Sequence, residues 1–154
     1  MMRFTLDSNI LVYAADGREP ARRLSAIGII EAAAPLDCVL LPQALSEFFH
    51  VVVRKRILPG SEAMAQVQDW LGVFLLTTGP SESALSAAME ATTACRFQFF
   101  DALFLATARE AGCTGVLSED MADNAEMNGL RVIRAFTPAG AISNPARALL
   151  GLKS

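Results

Sequence analysis

The sequence contains one histidine, His50, and three cysteines, Cys38, Cys95 and Cys113. A single histidine excludes catalysis by a histidine pair and any multi-histidine metal site. The cysteines are odd in number and scattered, with no C-x-x-C pair. That excludes a thiolate zinc site and a disulfide framework, and it fits a reduced, cytoplasmic setting. Lysine occurs only at Lys55 and Lys153. No run of about 18 apolar residues exists, as a membrane span requires. The most apolar region, residues 25–45, is broken by Glu31, Pro35, Asp37 and Pro42. Asp7 interrupts the first residues before an apolar signal core could form, so no signal peptide is expected. Glycine-rich nucleotide loops, a G-x-S-x-G elbow and an EF-hand pattern are also missing.

What is present is core-forming. Hydrophobic residues make up 53% of 154 residues and charged residues 19%. A single domain of this size buries roughly two-thirds of its unfolded surface without staples. The formal charge of −3 argues against simple bulk-charge attraction to nucleic acid or anionic lipid.

Short apolar runs alternate with helical stretches. Strands are expected at Arg3–Leu6, Cys38–Leu41, Leu75–Thr78, Gly115–Ser118 and Arg131–Arg134. Helices are expected at Ile10–Ala15, Ala21–Ala33, Gln43–Arg56, from Ser61 to about Val73, Ser81–Thr93 and Phe100–Ala111. This alternation predicts an α/β fold of three layers, with a parallel sheet of about five short strands flanked by helices. The last residues, rich in proline, alanine and glycine, are expected to pack loosely or to form one short helix without function.

Ligand sites of such sheets lie outside the carboxyl ends of the strands. Asp7 follows the first strand, and Glu119 and Asp120 follow the strand Gly115–Ser118. Taken singly, each has an ordinary explanation as a helix cap or a solvated loop acid. On the helix Gln43–Arg56, Leu45, Phe48, Phe49 and Val52 share one face, while Gln43, Glu47, His50 and Arg54 form a stripe on the other. Asp101 is the only charged residue between Phe97 and Ala108. A carboxylate in so apolar a segment must cap a helix, be paired or bind a cation. Four acids from four segments repel one another unless cations hold them. Oxygen-only ligands suit Mg²⁺ or Mn²⁺, and such a site suits attack of water on a phosphodiester.

Thr5-Leu6-Asp7-Ser8-Asn9, Ser46-Glu47-Phe48, Phe100-Asp101-Ala102 and Leu117-Ser118-Glu119-Asp120-Met121, followed by Gly129-Leu130-Arg131-Val132-Ile133, resemble the PIN domain. The likeness is to its VapC-type toxin ribonucleases in particular. It spans about residues 3–136 and implies a nuclease domain over 1–137, with 138–154 as the C-terminal tail of the same domain. The resemblance implies Asp7, Glu47, Asp101 and Asp120 as catalytic, metal-binding carboxylates. Asn9 and Ser118 match orienting positions, and Asp123 is an additional candidate acid. Glu119 stands where many members carry Asn or Asp, which leaves open which acid of that loop ligates. The implied activity is Mg²⁺- or Mn²⁺-dependent endoribonuclease cleavage of RNA. The implied partners are a second copy in a homodimer and an antitoxin that inserts near the site.

Setting the four carboxylates aside changes the formal charge from −3 to +1. Arg54, Lys55 and Arg56 then become candidate RNA contacts, against the ordinary reading of a basic helix end. Two other functions are consistent with parts of the pattern. One is a haloacid-dehalogenase-like phosphatase using Asp7 as nucleophile, although its second acid would fall on Asn9. The other is a non-catalytic module of the same fold that binds RNA or protein.

Overall fold

A computed structural model describes residues 2–154. Its strands are β1 (Phe4–Leu6), β2 (Cys38–Leu40), β3 (Leu75–Leu76), β4 (Gly115–Ser118), β5 (Glu126–Met127) and β6 (Leu130–Arg134). Its helices are α1 (Ser8–Ala15), α2 (Pro20–Ala33), α3 (Pro42–Arg54), α4 (Gly60–Leu71), α5 (Glu82–Thr93), α6 (Phe99–Glu110) and α7 (Asn144–Leu150). One six-stranded sheet runs in the order β3-β2-β1-β4-β6-β5. Every neighbouring pair is parallel except β5–β6. β1, β2 and β4 are buried throughout, which explains their continuous apolar runs: helices cover both faces of a parallel sheet.

The α/β class and the five parallel strands agree with the sequence. The sixth strand does not come from periodicity. Asn128 and Gly129 both take positive φ, 51° and 89°, and join Met127 to its partner Leu130. That is the primed two-residue turn that Asn-Gly favours. A two-residue strand is too short to show alternation, so only the Asn-Gly pair announces it.

The core centres on Phe4, Leu6, Leu40, Phe48, Phe104 and Leu117. On α3, Ala44, Leu45, Phe48 and Val52 face inward, and Phe48 meets Trp70 of α4 edge-on at 4.8 Å. Phe49, assigned to the same face by helical spacing, is 42% exposed at its margin. α3 stops at Arg54, with Lys55 as its C-cap and Arg56 at φ 56°, so two of the three basic residues lie beyond the helix.

Of the two expectations for the chain's end, loose packing or one short helix, the structure shows the short helix, and it is firmly packed. α7 buries Ala146 and Leu150, Ser143 caps it, and Phe136 bridges to Ile142. Gly140 has φ +87°, and a Cβ there would meet Ala21 Cβ at 3.2 Å and Arg22 Cγ at 3.3 Å. Only glycine permits that turn to sit so close to α2.

Candidate active site

The order of strands reverses between β1 and β4: β2 and β3 lie on one side, β6 and β5 on the other. Such a switch point opens a crevice at the carboxyl ends of the strands. Leu6 pairs with Leu117, and the Asp7 N–H donates to the Leu117 carbonyl at 2.9 Å. Sheet register therefore sets Asp7 abreast of Ser118. Asp7 is only 6% exposed. Its Oδ2 accepts from Ser118 Oγ at 2.7 Å, and its Oδ1 accepts from the Ser8 N–H at 2.7 Å, capping α1. Asp7 therefore caps α1, as its ordinary explanation has it, from the carboxyl end of β1.

Burial pushes the Asp7 carboxyl up from 3.8 to about 7. The negative charges of Asp120 and Glu47 add to this, while the bonds from Ser118 and Ser8 oppose it. Desolvation outweighs two good hydrogen bonds because no positive group stands beside the carboxylate.

Glu47 projects from α3 toward the same crevice. Its Oε2 accepts from Ser8 Oγ at 2.7 Å, and its Oε1 accepts from Gln43 Nε2 at 3.0 Å. Gln43 Nε2 also lies 3.2 Å from the carbonyl of Phe100, which ties α3 to the start of α6 beside Asp101. Asp101 occupies the first turn of α6, and the cap is Gln98, so Asp101 is not the capping residue. A helix start favours a carboxylate. Burial nevertheless raises the Asp101 pKa, and the charges of Asp120 and Glu47 raise it further. Asp120 is exposed, and its Oδ1 accepts from Asn9 Nδ2 at 2.8 Å.

Ion pairing separates these four acids from their neighbours. Asp37 pairs with Arg3, Asp16 with Arg18, Glu119 with Arg22 and Asp123 with Arg134. Among the described residues, no Lys, Arg or His pairs with Asp7, Glu47, Asp101 or Asp120. The two further acids of the β4 loop are therefore committed elsewhere. Glu119 Oε1 accepts from Tyr13 and its Oε2 from Arg22, both at 3.2 Å. Asp123 accepts from the backbone N–H of Arg134 at 3.1 Å.

A cavity of about 380 Å³ adjoins the cluster and is shared by Ser8, Asn9, Asp120, Tyr13 and Lys55. Of the three basic candidates only Lys55 lines it; Arg54, Arg56 and His50 are exposed and are not part of its lining. Arg18 also lines the cavity, but its guanidinium is tied to Asp16 by two bonds of 2.9 and 3.0 Å. A second cavity, of about 430 Å³ around Thr114 and Arg131, contains none of the four acids.

The donor set fits a hard divalent cation: four carboxylates, no soft ligand, and Asn9 Oδ1 buried without a partner beside them. Glu47 and Asp120 accept only from neutral donors, Ser8, Gln43, Asn9 and Ser118. Among the described residues, no group of three or more His, Cys, Asp or Glu side chains is placed so that it could hold a metal ion. Ser8 and Gln43, which orient Glu47, are the site residues that sequence reasoning did not single out for a role. Gln43 was detectable, standing four residues before Glu47 on one helix face.

The PIN domain family model matches residues 4–122. No curated protein sequence matches the chain. Among solved structures, VapBC2 from Rickettsia felis, bound to a DNA fragment from its promoter, is similar. Its TM-score is 0.64 at 15% identity, covering 86% of this chain and 98% of that one. A toxin–antitoxin complex from Klebsiella pneumoniae gives TM-score 0.60 at 20% identity, covering 84% and 94%. VapC20 from Mycobacterium tuberculosis, a toxin that cleaves the sarcin–ricin loop, gives TM-score 0.59 at 15% identity, covering 73% and 86%. These likenesses concern the fold. The sheet order, the acids at its switch point and the match over residues 4–122 agree: the chain belongs to the PIN domain family.

Proposed function

We propose that this protein is a metal-dependent endoribonuclease, the toxin half of a toxin–antitoxin pair, with Mg²⁺ or Mn²⁺ held by Asp7, Glu47, Asp101 and Asp120. One observation supports this reading: Asp7 and Asp101 each feel the negative charges of Glu47 and Asp120, and among the described residues no basic side chain pairs with any of the four. A bound divalent cation supplies charge neutralisation and Lewis acidity for attack of water on a phosphodiester.

The chain's own residues prepare that chemistry. Ser118 and Ser8 fix both oxygens of Asp7. Gln43 and Ser8 fix Glu47, and Asn9 fixes Asp120. Asp101 alone of the four has no hydrogen-bond donor among the described residues. Both its oxygens are therefore without a protein donor and open to an ion or a water. Lys55, lining the adjoining cavity, is the basic residue placed to contact an RNA phosphate.

Partners follow from relatives and surface. The similar Klebsiella pneumoniae structure is a complex of a toxin with an antitoxin. Here Phe49, Val53 and Phe100 are exposed on α3 and α6, the helices that carry Glu47 and Asp101. They offer apolar surface to an antitoxin segment or to a second copy of the chain. No helix among the described residues is long and apolar enough to cross a membrane. A cytoplasmic location suits three free cysteines and an RNA substrate.

The test is incubation of the purified chain with total RNA and Mg²⁺ or Mn²⁺ beside Asp101→Asn. Fragments with 5′-phosphate and 3′-hydroxyl ends that need both the metal and Asp101 are expected. Equal cleavage by the variant overturns the assignment. The phosphatase alternative gains nothing from the geometry. The position two residues after Asp7 is Asn9, whose amide donates to Asp120 and supplies no acid.

A further inference from the structure

Glu119 lies immediately before Asp120 in the loop that leaves β4, yet it faces a different set of partners. Tyr13 of α1 donates to one of its oxygens, and Arg22 of α2 donates to the other. The Arg22 guanidinium also lies 5.9 Å from the centre of the Tyr13 ring, so the three side chains close on one another. Both partners are braced from beyond the matched family region of 4–122. Phe136 meets Tyr13 edge-on at 5.6 Å. Gly140 packs against Arg22, and its carbonyl accepts from Ser25 Oγ at 2.6 Å. Ser118, on the other side of Glu119, is held by Asp7 and accepts from the Met121 N–H.

Asp120 itself is exposed, and its Oδ1 accepts from Asn9 Nδ2 at 2.8 Å and from Ser118 Oγ at 3.3 Å. A surface carboxylate on a loop has many rotamers and several backbone settings, and ordering it costs conformational entropy. Fixing the residues on both sides of it removes most of that freedom in advance.

We propose that Glu119 is a positioning residue. Clasped by Tyr13 and Arg22, which the segment Phe136–Ile142 braces, it fixes the backbone from which Asp120 reaches the carboxylate cluster. This inference rests on the assignment of Asp120 as a metal carboxylate. It gives the chain's end a role in the site and explains why a loop with two adjacent acids uses only the second for the ion.

The test is a double-mutant cycle read as Mn²⁺ affinity by titration, without RNA, on the full chain. Glu119→Gln keeps the shape and one acceptor but loses the ion pair. It should weaken Mn²⁺ binding by about 10-fold, the lower end of what outer-shell partners cost. Asp120→Asn should weaken it by at least as much. In the Asp120→Asn background, Glu119→Gln should add nothing, because the group it positions is gone. A plain loss of negative charge, or a general loosening of the fold, would persist in that background. Unaltered affinity in Glu119→Gln, or losses that multiply in the double variant, overturns the proposal. Unaltered affinity in Asp120→Asn overturns the assignment of Asp120 instead, and is seen separately. Tyr13→Phe removes one hydroxyl and should give a smaller, equally Asp120-dependent loss. Loss that survives in its double variant with Asp120→Asn likewise counts against the proposal.

Discussion

Asp7 is the clearest place to put a number on what burying a carboxylate costs this fold. Its pKa is 3.8 in an unfolded chain and about 7 in the fold. A carboxyl whose folded pKa is raised costs stability once it ionises. Below pH 3.8 both states hold the proton, and the group contributes nothing. Between pH 3.8 and about 7 the unfolded chain releases its proton while the fold retains it. Stability therefore falls by about 1.4 kcal/mol per pH unit across that window. Above it the loss levels off at roughly 4 kcal/mol. Asp7→Asn removes the ionisation and keeps the shape. Asn returns one acceptor to Ser118 or Ser8 but turns an amide N–H toward the other donor, which costs about 1–2 kcal/mol. The variant should then exceed the wild type by roughly 2–3 kcal/mol at pH 8, or about 4–12 °C in Tm. At pH 4 the order should reverse, with the wild type the more stable. The assay is thermal and urea unfolding of both proteins in a chelating buffer from pH 4 to pH 8. Curves that run parallel across this range would refute the reasoning, since the pH-dependent cost would then not belong to Asp7.

Other perturbations probe other links. Excess Mn²⁺ at about 100 times its Kd should stabilise the wild type by roughly 2.7 kcal/mol at pH 7.5. The same addition should do much less for Asp101→Asn; equal stabilisation in a melting experiment would remove Asp101 from the ligand set. Lys55→Ala should weaken RNA binding and lower the salt slope by about one. Arg54→Ala, outside the cavity's lining, should change the slope less; a reversed order in filter binding at several salt concentrations would contradict the cavity's role. Phe48→Ala removes a fully buried ring set against Trp70 and should cost about 3–5 kcal/mol in urea unfolding. A cost below about 1 kcal/mol would mean that α3 is not anchored as described.

The fold was legible because its evidence is local and repeated. Apolar runs bounded by proline, glycine and capping residues mark β1, β2 and β4 almost to the residue. β5 escaped because two residues carry no period, and Phe49 because helical spacing ignores where the neighbouring helix ends. At the chain's end the expected short helix is present as α7, but its packing was not legible: Gly140 is small so that it can pack against α2. In the candidate site, the residue types and their order are visible in sequence, and the pairing is not. Asp101 stands out as a lone charge in an apolar segment. Nothing in sequence shows that Arg22 and Arg134 neutralise Glu119 and Asp123 and leave Asp120 free, because those partners lie 97 and 11 residues away. Tyr13 and Arg22 have no local signal, since their role exists only where three elements meet.

The central claim is that an unneutralised carboxylate cluster cuts RNA. Single-turnover cleavage of an RNA pool at saturating Mn²⁺, by the wild type and by Asp7→Asn, tests it most directly when RNA binding is measured in parallel. Both proteins should bind RNA, and only the wild type should cut it. Cleavage at the same rate by a folded Asp7→Asn protein would contradict the account.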